Sequence, residues 1–97
     1  MHPNQLPIPP AAESDAKAIE LVRVWAAGGQ QQISLATGLW KEPSTWGIML
    51  VDLAKMIADA YFKREGLDAK DTLGMIKSGF DAEWETATAN PTGDLVD

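Results

Sequence analysis

Two runs of alternating side chains, Ala18–Trp25 and Gln31–Thr37, flank Ala27-Gly28-Gly29-Gln30, and no other feature constrains the chain as much. A two-residue Gly-Gly loop suits a type I′ hairpin, because both central positions need positive φ and glycine has no Cβ to clash there. The loop length fixes the register. Val24 faces Ile33, Val22 faces Leu35, Trp25 faces Gln32, Arg23 faces Ser34 and Leu21 faces Ala36. One face is therefore Val22, Val24, Ile33 and Leu35, the floor expected of a helix-covered core. The other mixes Ile19, Leu21 and Trp25 with Arg23, Gln32 and Ser34, and Trp40 joins it if the second strand runs on past Gly38.

The rest of the pattern is helical. Pro43 suits a first helical position, and Gly66 suits a C-terminal stop, so one helix is predicted from about 43 to 64. Trp46, Leu50, Leu53, Ile57, Ala60 and Tyr61 form its main apolar stripe, with Met49 and Met56 alongside. Asp52, Lys55, Asp59 and Lys63 recur on the opposite side. Ile48, Val51 and Phe62 lie off the stripe, which predicts a helix enclosed on more than one side. A second helix, capped by Asp68, is predicted over 69–85 with Leu73, Ile76, Phe80 and Trp84 inward. Gly74 and Gly79 weaken it, and their missing side chains would let another backbone approach.

Around these elements the chain reads as one domain, residues 18–86, between an extended Pro-rich arm (1–17) and a disordered tail (87–97). Two strands make a poor sheet. Either the Leu6–Ile8 arm adds a third or two chains pair to extend it. The expected fold is α+β, a small antiparallel hairpin packed on two C-terminal helices in the order β-β-α-α.

Charge narrows the partners. The net charge is −6, and residues 67–97 account for −5 of it with two bases against seven acids, whereas residues 41–66 carry four of each. An acidic chain without clustered Lys or Arg has neither the footprint of a nucleic-acid binder nor a polybasic membrane-surface segment. No apolar run reaches the roughly 20 residues of a bilayer span. The N-terminus lacks the basic and apolar regions of a secretory signal. The absence of cysteine excludes disulfides and thiolate chemistry and accords with a cytoplasmic location.

No catalytic, cofactor or metal residue is assigned. His2 is the one histidine, which excludes a Ser-His-Asp triad in the body of the domain and a multi-histidine metal site. Asp52 with Asp59, and Asp81 with Glu85, share helix faces among lysines and read as solvated ion pairs. Gly28-Gly29 lacks the context of a phosphate-binding loop. Pro7-Ile8-Pro9-Pro10 has polyproline-ligand spacing but no basic neighbour.

The motifs Glu20-Leu21-Val22-Arg23-Val24-Trp25, Ser34-Leu35, Gly38-Leu39-Trp40, Pro43-Ser44-Thr45-Trp46-Gly47, Ala60-Tyr61 and Phe80-Asp81-Ala82-Glu83-Trp84 are the most distinctive stretches. Together they resemble a small bacterial domain-of-unknown-function family of alphaproteobacterial type, over roughly residues 18–85. The resemblance implies a stand-alone cytoplasmic α+β protein. It rests on fold-like motifs, so it transfers no site residue.

The expected function is binding without catalysis, as a homodimer or with a partner protein. The candidate interface is Ile19, Leu21, Arg23, Trp25 and Trp40 on the outer sheet face. The alternative is a small-molecule-binding or enzymatic domain with its pocket between sheet and long helix.

Overall fold

The computed structural model describes residues 2–86 and 92–96. The elements in chain order are α1 (Pro10–Glu13), β1 (Val22–Ala27), β2 (Gln30–Ala36), α2 (Ser44–Glu65), α3 (Ala69–Glu85) and β3 (Thr92–Val96). The chain is α+β, with β-β-α-α as its central order. It divides into two compact units: Met1–Ala36 with Thr92–Asp97, and Thr37–Pro91.

In the first unit, Gly28 (φ 61°) and Gly29 (φ 75°) turn β1 into β2 as a type I′ hairpin requires. Val22 pairs with Leu35, Arg23 with Ser34, Val24 with Ile33 and Trp25 with Gln32, the register dictated by the loop length. Leu21 is not in the strand, but its carbonyl accepts the Ala36 N–H at 3.0 Å and continues the ladder by one step. The lead-in holds the single helical turn α1, with Pro10 at its start where a missing donor costs nothing.

The third strand is not the arm. Leu6 and Ile8 remain exposed, and neither lies in a strand. β3 instead pairs parallel to β2, from Gln32↔Thr92 to Ala36↔Val96, giving the order β1-β2-β3. The tail expected to be disordered therefore contains a strand over 92–96, while residues 87–91 and 97 lie outside the described ones. Pro91 and Gly93 are residue types that disfavour a strand. What overrides them is the row of open donors and acceptors along the free edge of β2.

In the second unit, Asp68 caps α3 by accepting the Asp71 N–H on Oδ2 at 3.0 Å, and Gly66 ends α2 in the left-handed region at φ 73°. The two helices pack on each other. Their packing corrects the expected core, because the side chains buried here among the described residues are Ala58 and Thr72. Leu50, Leu53 and Ile57 of the main stripe are exposed, as are Phe80 and Trp84 of α3. Small residues let two helix backbones approach, so α2 turns its Ala54–Ala58 side toward α3 and the larger aliphatic stripe faces elsewhere.

Gly74 and Gly79 do not serve close approach either, since a Cβ built at each meets nothing within 4 Å. Gly74→Ala and Gly79→Ala should each stabilise the protein by about 0.5–1 kcal/mol, by removing backbone freedom from the unfolded chain. Urea titration followed by far-UV circular dichroism checks this. A loss of stability would show that these positions are occupied in solution.

Candidate functional site

Strand alternation puts Trp25 and Arg23 on one face of β1, opposite Val22 and Val24. Trp25 is half-buried, and the ring of His2 lies edge-on to it, centroids 4.9 Å apart at 60°. His2 is held by the turn it begins. Its Nδ1 accepts the Asn4 N–H at 3.0 Å, and its carbonyl accepts the Gln5 N–H at 3.1 Å. Sequence reasoning assigns His2 no role. Only its place in a Pro3-Asn4 turn signals that the N-terminus folds back, and nothing in the sequence signals the target.

Arg23 is ion-paired. Its guanidinium donates to Glu20 Oε1 at 2.6 Å, with both side chains partly exposed, an arrangement worth about 0–1 kcal/mol. The pair leaves the guanidinium solvent-accessible, on the same face of β1 as Trp25. Leu21 is half-buried, and Ile19 is 58% exposed just before the strand begins. Trp40 is placed differently. β2 stops at Ala36, and Trp40 falls in the second unit, edge-on to Trp46 with centroids 4.6 Å apart. The aliphatic floor is also more open than its composition suggested, with Val24 56% exposed.

One member of each carboxylate pair is in an exposed ion pair with a lysine. Asp59 accepts from Lys63 at 2.8 Å, and Asp81 accepts from Lys77 at 2.8 Å. The hydrogen bond that Lys63 donates to Asp59, aided by the carboxylate charge, holds the Lys63 ammonium above its ordinary pKa. No group of three or more metal-capable side chains occurs among the described residues. Phe80 and Trp84 stack at 5.5 Å on the outside of α3 and, with Asp81 and Glu85, line a shallow open groove of about 430 Å³. No helix among the described residues is long and apolar enough to cross a membrane.

Residues 5–88 match the domain of unknown function DUF5076, and the chain belongs to that family. No curated protein matches it significantly. Among solved structures it is similar to a protein from the photosynthetic bacterium Rhodopseudomonas palustrus CGA009, provisionally described as a pyruvate dehydrogenase. The two share 29% identity with a TM-score of 0.75, and the match covers 99% of this chain and 98% of that one.

Proposed function

We propose that this member of the DUF5076 family works by binding protein, as a homodimer or with a different partner, through the β1 face that carries Trp25. The observation behind this reading is a half-buried tryptophan that shares its strand face with an ion-paired arginine and follows two aliphatic residues in the chain. Trp25 shares that face with the Glu20-paired Arg23, with Leu21 half-buried and Ile19 open to solvent. Tryptophan and arginine supply most of the energy at protein interfaces, because they combine a large contact area with directed polar groups. His2 covers part of Trp25, so a partner that takes the whole ring displaces the N-terminal turn. We place the protein in a bacterial cytoplasm. The bacterial relative supports the first part, and a cysteine-free chain needs no oxidising compartment to fold.

Trp25→Glu tests the reading. The fold should survive, as judged by far-UV circular dichroism, while self-association in sedimentation or recovery of a partner from host lysate falls at least tenfold. Unfolding of the variant would make Trp25 a core residue. Unchanged sedimentation together with unchanged recovery would remove the sheet face as an interface.

A second reading draws on the relative's description, which favours a role in pyruvate oxidation. Release of carbon dioxide from pyruvate by the purified chain, supplied with an electron acceptor to take the two electrons, would support it over binding alone.

A further inference from the structure

Trp46, Leu50, Leu53, Ile57, Ala60 and Arg64 on α2 are spaced 4-3-4-3-4, the repeat that keeps one seam of a helix facing another helix. At 100° per residue this seam lies about 100° around α2 from Ala54 and Ala58, the side that α3 occupies. It is the aliphatic stripe that the fold leaves open, with Leu50 46%, Leu53 46% and Ile57 40% exposed. A helix with two packed sides at this angle is the building unit of a four-helix bundle, and this chain supplies two helices.

We propose that α2 pairs antiparallel with α2 of a second copy along the Trp46–Arg64 seam, so that two helical hairpins form a four-helix assembly. This goes beyond the sheet-face reading and does not depend on it.

Antiparallel pairing of such a seam opposes the two alternating positions in each layer, and here every layer matches. Leu53 meets Ile57 of the second copy at the centre, Leu50 meets the small Ala60 further out, and Trp46 receives Arg64 at each end. Large side chains thus oppose small ones, and both guanidinium groups stack on indole faces. A parallel pair would instead set Arg64 against Arg64 and align the two helix dipoles. The seam is flanked by Met49 and Met56 on one side and by Ala54 and Tyr61 on the other, so no charge opposes approach.

Net charge selects this helix as well. Residues 41–66 are neutral overall, with four acids and four bases, whereas pairing through α3 would bring together two helices that each carry four acids against two bases. The exposed part of the seam amounts to on the order of 500 Å² per copy, the low end for a specific interface, as for a weak, concentration-dependent dimer.

Sedimentation of the full chain should give twice 10.5 kDa at about 100 μM, and Leu53→Glu should give the monomer. A wild type that stays monomeric, or a Leu53→Glu dimer, would overturn the proposal. If Leu53→Glu fails to fold, cross-linking decides. The chain has no cysteine, so Met56→Cys introduces a single thiol beside the twofold axis, and Asp52→Cys places one on the charged side of α2. Mild oxidation should link most of the first variant and several-fold less of the second. Equal linkage would rule out the seam. A dimer abolished by Trp25→Glu but kept by Leu53→Glu would assign self-association to the sheet face instead.

Discussion

Replacing Ala58 by Asp should cost about 3–5 kcal/mol and leave the helical hairpin largely unfolded, because it puts an unpaired carboxylate where water is excluded. Ala58 is 2% exposed, the one buried hydrophobic residue among those described. The buried polar residue among those described is the hydroxyl-bearing Thr72, so burial in this unit supplies no cation to compensate a carboxylate. The same substitution at Ala82, exposed on α3, should cost only about 0.5–1 kcal/mol, the ordinary propensity penalty for Asp in a helix. Urea titrations of the two variants, followed by far-UV circular dichroism, measure the difference. Similar losses would mean that α2 and α3 do not meet at Ala58.

Truncation after Pro91 should lower the thermal midpoint by about 10 °C. The loss follows from the β3 ladder on β2, at roughly 1 kcal/mol net per backbone hydrogen bond offset by the entropy of ordering five residues. It also returns the sheet to a bare hairpin, which is marginal alone. Near-UV circular dichroism during melting should show the change at Trp25, because β2 is the strand that both β1 and β3 use. An unchanged midpoint would mean that residues 92–97 contribute nothing to stability.

What the sequence determined was local. Two adjacent glycines admit one tight hairpin geometry, and that geometry set every β1–β2 pairing without reference to the rest of the chain. Asp68 and Gly66 likewise marked their helix ends through the chemistry of single side chains with neighbouring backbone. The candidate site was legible to the same extent. Arg23 and Trp25 share a face because strands alternate, whereas the ion pair to Glu20 and the cover from His2 depend on how flanking segments fold back.

Tertiary structure decided which surfaces meet. Periodicity showed that α2 is apolar nearly all round but could not rank its sides, and α3 took the one where Ala54 and Ala58 allow close approach rather than the stripe richest in Leu and Ile. β3 forms although Pro91 and Gly93 argue against it locally, because its stabilisation comes from the open edge of a strand more than fifty residues earlier. Trp40 left the sheet face because β2 stopped at Ala36, a limit that no residue type before Gly38 announces. Pairing between distant segments is won by the best fit among many apolar surfaces. One-dimensional spacing carries the candidates for that competition but not its outcome.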